Sequence, residues 1–197
     1  MNDKETARKS ENPSWDGLTL LTPRLLLRPI TPEDAADIFE YARNPNVGIH
    51  AGWQPHVTIE ETHQIMDEVF LGQPHVFGIV LRETGKLFGT IGLIPDPKRK
   101  NSKVLMLGYA VGEEHWGHGY TTEAARAVLR YGFDSLGLDL VSVYCYPHND
   151  RSKRVIAKCG FRHEGTLRQA EIRYDGAILG NDCFSLTSEE FRDTDPE

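Results

Sequence analysis

The segment that most constrains this sequence is residues 107–133, where an apolar run, a glycine-rich turn and an apolar helix pattern follow one another. Leu107 to Val111 is typical of a strand, and helical spacing of apolar residues begins near Thr122. The turn between them is Trp116-Gly117-His118-Gly119-Tyr120-Thr121. Glycines let the backbone approach a ligand closely, and the first turn of a helix presents N–H groups that have no partner within the helix. This order of elements predicts a phosphate-binding turn.

Two common phosphate loops do not fit this turn. The sequence has no GxxxxGK[ST], and Thr122 stands where the last glycine of GxGxxG belongs. The turn instead resembles the pyrophosphate turn of the GNAT acyl-CoA transferases, Q/R-x-x-G-x-G/A, with Trp116, Gly119 and Thr121 at the defined positions. Family members often carry a basic residue where this chain has His118, and usually Gly or Ala where it has Thr121. We expect slightly weaker phosphate binding, because Thr121 keeps its N–H but a fixed charge is missing.

Three further segments carry the same resemblance. Leu21-Thr22-Pro23-Arg24-Leu25-Leu26-Leu27-Arg28 resembles the opening strand of the RimJ/RimL branch, the protein N-terminal acetyltransferases. The stretch from Tyr146 through Asn149 and Ser152 to Gly160-Phe161 resembles the strand-end pattern of the superfamily, and Arg168 to Glu171 resembles a later RimL-like stretch. Together these matches span roughly residues 18–187.

The resemblance implies an α/β protein with the GNAT fold, a single mixed, mostly antiparallel twisted sheet flanked by helices on both faces. The predicted element order, β-α-α-β-β-β-α-β-α-β-β, is the order of that fold. Residues 18–190 are predicted to form one acyltransferase domain. Residues 1–17 are polar and without period, which predicts a disordered tail.

Local signals support several of these elements. Thr58-Ile59-Glu60-Glu61 is a capping box before a helix, and Asp175-Gly176 predicts a two-residue hairpin turn between two late strands. Residues 47–56 mix glycine, histidine and aromatic residues and are predicted to form a loop between the first two helices. Acceptor loops of the family lie there.

The composition of the chain limits which partners the protein can bind. The formal net charge of −7 argues against general nucleic-acid binding, and no apolar run approaches the length of a membrane span, which is about 20 residues. The acidic balance favours a cationic acceptor or serves solubility alone. Three cysteines without metal-site spacing favour a reducing cytoplasm, and no Cys/His cluster predicts a metal. The oligomeric state, a homodimer included, stays open.

The resemblance also implies the donor and the residues that hold it. The donor is acetyl-CoA, an acyl-donating substrate, and Asn149 and Ser152 are predicted to lie along its pantetheine arm. The main-chain groups of a strand edge are predicted to pair with the pantetheine amides: Tyr109, Ala110 and Val111. The glycine turn is predicted to hold the pyrophosphate: Trp116, Gly117, His118, Gly119, Tyr120 and Thr121.

Catalysis needs a proton acceptor near the amine and a proton donor near the departing sulfur. The tyrosine that serves many GNAT proteins as an acid would fall at Ile156, so Ser152 is the candidate acid or thiolate hydrogen-bond donor. Glu171 is the candidate base, directly or through water. Each residue also has a structural alternative. Ser152 would be an ordinary serine in a helix, Asn149 would be the N-cap of that helix, and Glu171 would be a solvated carboxylate on a strand.

Trp53 is the candidate acceptor-binding residue, with a loop aromatic anchored on the core as the alternative. Two functions fit these residues. The first is an N-acetyltransferase that transfers the acyl group directly to a primary amine, a peptide α-amino group or a small amine. The second is a non-catalytic acyl-CoA-binding or sensor module. Another acyl-CoA, such as succinyl-CoA, is also compatible with the sequence.

Overall fold

The computed structural model describes residues 17–194, so the predicted tail of residues 1–17 lies outside the described part of the chain, apart from Gly17. Within that part, eight strands form one sheet in the order β1-β2-β3-β4-β5-β6-β8-β7. The strands are β1 Leu20–Leu21, β2 Leu25–Arg28, β3 Val76–Leu81, β4 Leu87–Pro95, β5 Val104–Val111, β6 Leu140–Cys145, β7 Arg162–Ile172 and β8 Ile178–Thr187. The α-helices are α1 Ala35–Ala42, α2 Pro45–Ala51, α3 Ile59–Ile65, α4 Tyr120–Arg130, α5 Asp150–Lys158 and α6 Ser188–Thr194.

One strand pair sets the topology. β5 and β6 are parallel, while every other neighbouring pair among the described strands is antiparallel. Parallel neighbours need a crossover, and here the glycine turn and α4 supply it. The predicted mixed, mostly antiparallel sheet is therefore confirmed.

Two apolar cores lie on opposite faces of the sheet. On one face α4, α5 and α6 bury side chains such as Val128, Ile156 and Phe191. On the other face the α1–α3 region contributes Ile38, Val47 and Met66 to a second core. Because each face is covered, the central strands are apolar on both sides: β4 is buried from Leu87 through Leu93. The prediction of helices on both faces is confirmed.

An ion pair joins the end of β2 to the start of α1. Arg28 donates from Nη1 and Nη2 to the Asp34 carboxylate at 2.7 and 2.6 Å, and the Thr31 backbone N–H donates to it at 2.8 Å. Burial alone would raise the pKa of Asp34, but these donors outweigh it and lower the pKa below its ordinary value. The carboxylate therefore fixes the entry of the chain into the first helix.

Two local predictions need correction. Residues 47–51, expected to be part of the loop 47–56, lie in α2, because Asn44 accepts a hydrogen bond from the Asn46 N–H and Pro45 occupies a first-turn position. Gly52, at φ +89°, ends this helix. The hairpin at Asp175-Gly176 has a three-residue loop, residues 174–176: the Arg173 N–H donates to Ala177 O, and Gly176 adopts the left-handed φ that such loops require.

Candidate active site

The parallel strands β5 and β6 separate part-way along their length. Their pairing runs over three residue pairs and ends at Met106 and Ser142, whereas β5 continues to Val111 and β6 to Cys145. A cavity of about 1090 Å³ includes this gap, and residues of both strands line it. A gap inside a sheet leaves main-chain groups that no neighbouring strand takes up, so a ligand with amide groups can bind there.

Strand alternation decides which main-chain groups of β5 face the gap. The Gly112 N–H donates to Phe88 O on β4 at 2.8 Å, so Ala110, two residues earlier, also turns its main-chain groups toward β4. Tyr109 and Val111 therefore turn theirs toward the gap. All three predicted residues line the cavity. Of these, Tyr109 offers its N–H and its carbonyl to a ligand, and Val111 offers its N–H, because the Val111 carbonyl accepts from Trp116. Ala110 offers neither.

The glycine turn lies at the end of β5 where the gap is open. Gly117 and Gly119 both have φ +81°, a conformation that favours glycine, and Gly119 is the N-cap of α4. No atom lies within 4 Å of the position of a Cβ on Gly117. The Trp116 indole N–H donates to Val111 O at 2.8 Å and ties the turn to β5. The first N–H groups of α4 thus border an open concave backbone, which suits a phosphate.

The residues of the turn do not all face the cavity. Trp116, Gly117, Gly119 and Thr121 line it. His118 is exposed and its ring stacks on that of Tyr120 at 5.5 Å. His118 and Tyr120 are therefore placed to support the turn from outside, and contact with a ligand through their side chains stays a prediction.

Arg24 is a residue of this site that sequence reasoning did not single out. Its Nη1 donates to His118 O at 3.0 Å, its Nε donates to Glu123 at 2.7 Å, and its guanidinium lies 4.5 Å from the centre of the Tyr120 ring. Burial alone would raise the pKa of Glu123, but donors from Thr22 and Arg24 outweigh it and lower that pKa. The Pro23-Arg24 signal was present, but it indicated only an opening strand.

The start of α5 brings Ser152 next to Tyr109. The Asn149 side chain caps the helix by accepting from the Ser152 N–H at 3.1 Å, as the alternative role for Asn149 predicted. Ser152 Oγ and the Tyr109 hydroxyl share a hydrogen bond of 2.7 Å, and burial raises the pKa of Tyr109. Ile156, where the family's tyrosine would fall, is buried in the core. A pair of hydroxyls thus lies in the cavity where the sequence predicted a single serine.

Glu171 lies near the end of β7, and two neutral side chains hold it. Tyr146, just after β6, donates to Oε1 in a short hydrogen bond, and Asn181 on β8 donates to Oε2 at 3.1 Å. Burial raises the pKa of Tyr146, and its hydrogen bond to Glu171 raises it further. Gly52 lies against the pair, because a Cβ there would be 3.0 Å from the Tyr146 hydroxyl. The sequence offered no signal for Asn181.

A bulge in β7 sets the direction of Glu171. The register against β8 shifts by two residues between Leu167 and Glu171, and Gln169 within the shift has φ +51°. Gly180 lies under the bulge, since a Cβ there would be 2.8 Å from Leu167 O. Bulges re-aim side chains, and this one brings Glu171 into the cavity.

Trp53 follows α2, and its position is compatible with both predicted roles, an acceptor-binding residue and an aromatic anchored on the core. Its side chain packs against the core formed with α1–α3 and also lines the cavity. Its indole N–H is buried and has no hydrogen-bond partner among the described residues. The cavity thus joins the glycine turn, Ser152, Glu171 and Trp53, and the roles predicted for them stay predictions.

Two absences hold for residues 17–194, the part of the chain that the structure describes. No group of three or more His, Cys, Asp or Glu side chains there is placed to hold a metal ion. No helix of that part of the chain is long and apolar enough to cross a membrane.

A family model described as an acetyltransferase (GNAT) domain matches residues 24–162. The chain belongs to the GNAT acetyltransferase family. It is 31% identical over 178 residues to the uncharacterized N-acetyltransferase p20 of Bacillus licheniformis, a match that covers 88% of this chain and 98% of that protein. It is 26% identical over 186 residues to the [ribosomal protein uS5]-alanine N-acetyltransferase of Escherichia coli, covering 87% of this chain and 92% of that protein.

Solved structures of the GNAT family share the fold. A GNAT-family acetyltransferase from Bacillus anthracis superposes with a TM-score of 0.77 at 24% identity, covering 88% of this chain and 100% of that chain. Spermidine N-acetyltransferase from Vibrio cholerae, in complex with CoA and spermine, gives a TM-score of 0.72 at 18% identity, covering 86% and 99%. The predicted GNAT fold and acyltransferase class are confirmed.

Proposed function

We propose that this protein is an acetyl-CoA-dependent N-acetyltransferase that transfers the acetyl group directly to a primary amine within a ternary complex. The observation that carries the proposal is the continuous cavity: the gap between β5 and β6 joins the glycine turn to Glu171. The donor's pyrophosphate would lie on the turn, and its pantetheine arm would pair with Tyr109 and Val111. The acceptor would reach the thioester from the Glu171 side.

In this mechanism the amine nitrogen attacks the thioester carbonyl carbon, the carbon–sulfur bond breaks, and the amine loses one proton. Glu171 accepts that proton, directly or through water, because its two hydrogen-bond donors fix the direction of its carboxylate. The hydroxyl pair of Ser152 and Tyr109 donates a hydrogen bond to the departing thiolate, which takes up a proton from solvent, and Glu171 returns to solvent the proton that it accepted. Holding donor and acceptor together in one cavity supplies much of the rate enhancement.

The acceptor is proposed to be either a peptide α-amino group or a small amine. The resemblance to the RimJ/RimL branch and to the uS5-alanine acetyltransferase supports the former, and the fold shared with spermidine acetyltransferase is compatible with the latter. We place the reaction in the cytoplasm, which suits the three unpaired cysteines. One domain over residues 18–190 and a homodimer are further proposals.

The second candidate function is acyl-CoA binding without turnover, and one observation favours it. The glycine turn has an exposed His118 where the family often has a basic residue, and Arg24, which donates to His118 O, is paired with Glu123. Weak donor binding would suit a sensor of high acyl-CoA concentrations.

A thiol-release assay separates the two functions. Purified protein is incubated with acetyl-CoA or succinyl-CoA and a panel of small amines and short peptides, and free CoA thiol is measured. We expect amine-dependent release that is faster with acetyl-CoA. A thermal shift with CoA, but no release with any acceptor, would support the binding module. If CoA thiol is released faster with succinyl-CoA than with acetyl-CoA, the transferred group is succinyl and not acetyl.

A further inference from the structure

Glu171 and Lys98 both line the cavity, carry opposite charges and have no ion-pair partner in the described part of the chain. Glu171 is held by Tyr146 and Asn181, both neutral. The nearby guanidinium of Arg173 is paired with Asp175 at 2.7 Å. Lys98, which also lines the cavity, lies 4.1 Å from the centre of the Tyr144 ring, and no carboxylate of residues 17–194 pairs with its ammonium.

A rigid polar network fixes the loop that carries Lys98. Asp96 is buried and accepts hydrogen bonds from the Lys98 backbone N–H at 2.7 Å and the Tyr144 hydroxyl at 2.9 Å. Arg99 forms ion pairs with both Asp96 and Glu164. Burial alone would raise the pKa of Asp96, but its donors lower that pKa, so the network stays charged. Lys98 is the cation of this loop that is left facing the cavity.

Lys98 and Glu171 come from different elements but contact two tyrosines that lie on the same side of the sheet, Tyr144 and Tyr146. Tyr144, under Lys98, and Tyr146, bonded to Glu171, are two residues apart and therefore point to the same side of the sheet. Two strand residues span about 7 Å. The register of β5 and β6 puts Tyr144 farther from the glycine turn than Tyr146. An acceptor amine at Glu171 would thus have Lys98 beyond it, away from the donor.

The cations on α5 are separate from this pair. Val143 and Cys145 pack with Ile156 of α5, so Tyr144 between them faces the opposite side of the sheet. Arg151, whose guanidinium lies 4.2 Å from the centre of the Trp116 ring, is near the glycine turn and can meet the donor's phosphates. Lys98 is too far along the strand to share that task.

We propose that the acceptor is a primary amine that also carries an anionic group, and that Lys98 binds this group while Glu171 receives the amine. The proposal rests on the acetyl transfer proposed above. The shared chemistry is an amine and a carboxylate or similar anion separated by several ångströms. An ω-amino acid provides it, and so does a peptide with an acidic residue close to its N-terminus.

The test compares acceptors that differ in the charge of the far end. With acetyl-CoA saturating, kcat/KM is measured for δ-aminovalerate, n-pentylamine and cadaverine, and for the peptides Ala-Gly-Glu and Ala-Gly-Lys. We expect the anionic member of each set to be preferred, and Lys98→Gln to reduce its advantage over the neutral amine about fivefold, the upper range for a partly exposed ion pair. Lys98→Glu should turn the preference toward cadaverine and Ala-Gly-Lys.

Lys100→Gln is the matched control, because Lys100 belongs to the same loop and is exposed like Lys98 but does not line the cavity. It should leave the preference unchanged, and the KM for acetyl-CoA should stay constant in all variants. A wild-type preference for cationic acceptors, or an unchanged preference in Lys98→Gln, would overturn the proposal. A preference confined to the peptides, or to the small amines, would identify the source of the anion.

Binding separates failure of this proposal from failure of the transfer function. If wild-type protein turns over none of these acceptors, the melting temperature of CoA-loaded protein is measured with δ-aminovalerate, with cadaverine and with both peptides. Stabilisation by the anionic compounds that is lost in Lys98→Gln supports the site without turnover. Stabilisation by cationic compounds alone, or by none, contradicts it.

Discussion

At the scale of single residues, Glu171 depends on side chains from two other strands. Tyr146 follows β6 and Asn181 belongs to β8, and both donate to its carboxylate. Such a constellation is what a positioned proton acceptor needs, since geometry comes before acidity in general base catalysis. The predictions for this residue and for Ser152 follow from that placement.

Glu171→Gln keeps the size of the side chain and removes its basicity. We expect kcat to fall about 100-fold, the lower range for loss of a positioned general base, with little change in the KM for acetyl-CoA. Steady-state kinetics with the best acceptor of the panel measures both. Glu189→Gln, an exposed glutamate on α6, is the matched control and should behave as wild type. Wild-type kcat in Glu171→Gln at saturating acceptor would remove the residue from its assigned role.

Ser152→Ala should lower kcat less than Glu171→Gln does. The Tyr109 hydroxyl lies 2.7 Å from Ser152 Oγ and can still donate to the departing sulfur in the variant. If that is so, the double variant Ser152→Ala/Tyr109→Phe should lose more activity than Ser152→Ala, and the comparison of the two rates measures the contribution of Tyr109. Equal rates for the two variants would speak against a shared role.

At the scale of elements, the glycine turn and the start of α4 form the proposed phosphate site. Gly119 has φ +81°, and a Cβ there would lie 3.6 Å from Arg24 Nη2. Gly119→Glu should abolish the rise in melting temperature that CoA causes, because it places a negative charge against the pyrophosphate. Gly119→Asn is the control, since asparagine tolerates this backbone conformation without adding charge. An undiminished shift in a folded Gly119→Glu protein would mean that the donor binds elsewhere.

The joint between β2 and α1 gives a prediction on stability. Asp34→Asn should lower the free energy of unfolding by about 2 kcal/mol, the range for hydrogen bonds to a charged group. The pKa of Asp34 is lowered in the folded protein, so the pair stabilises it above the ordinary aspartate pKa, about 3.9, and this stability is lost as the pH falls through the folded pKa. Denaturant melts of wild type and variant should therefore converge below about pH 4. Asp67→Asn, which changes an exposed aspartate, is the control, and its denaturant melts should coincide with those of wild type at every pH.

These elements also show what the sequence could predict. The helix cap at Thr58 could be predicted because its residues are close together in the sequence. In the structure Thr58 Oγ accepts a hydrogen bond from the Glu61 N–H at 3.2 Å. The signal for α2 is equally local: Asn44 is the N-cap and Pro45 lies in the first turn. The contact of Tyr146, Glu171 and Asn181 could not be predicted from the sequence. It depends on the pairing of β6 with β8 and on a bulge in β7, and no local sequence pattern indicates either. Arg24 was identified only as part of a strand for the same reason.

At the scale of the whole molecule, the gap between β5 and β6 connects the two faces of the sheet. The residues proposed to contact the donor lie in the turn, α4 and α5, and those proposed to contact the acceptor lie after α2 and in the β7–β8 hairpin; all of these regions line the cavity. Substitutions on the two sides should therefore act on different kinetic constants.

Trp53→Ala should raise the KM for the acceptor about threefold to tenfold, the range for an aromatic contact, and the KM for acetyl-CoA less. With an α-amino acceptor, kcat/KM should also rise with pH through the ionisation of the amine itself, near pH 8. Initial rates over a grid of both substrates and several pH values measure these effects. An effect of Trp53→Ala on the donor KM alone would place the residue on the other side of the cavity.

The position of β8 has a consequence for folding. β8 follows β7 in the chain but lies between β6 and β7 in the sheet, so β7 joins the rest of the sheet only through β8. Contacts between strands that are distant in sequence form slowly, because a long loop must close before they contribute. During synthesis the glycine turn, Ser152 and Tyr146 leave the ribosome before β8 does. The carboxylate of Glu171, the proposed base, reaches its place only when β8 has joined β6 and β7, so under the proposed mechanism a newly made chain would bind the donor before it can transfer the acetyl group.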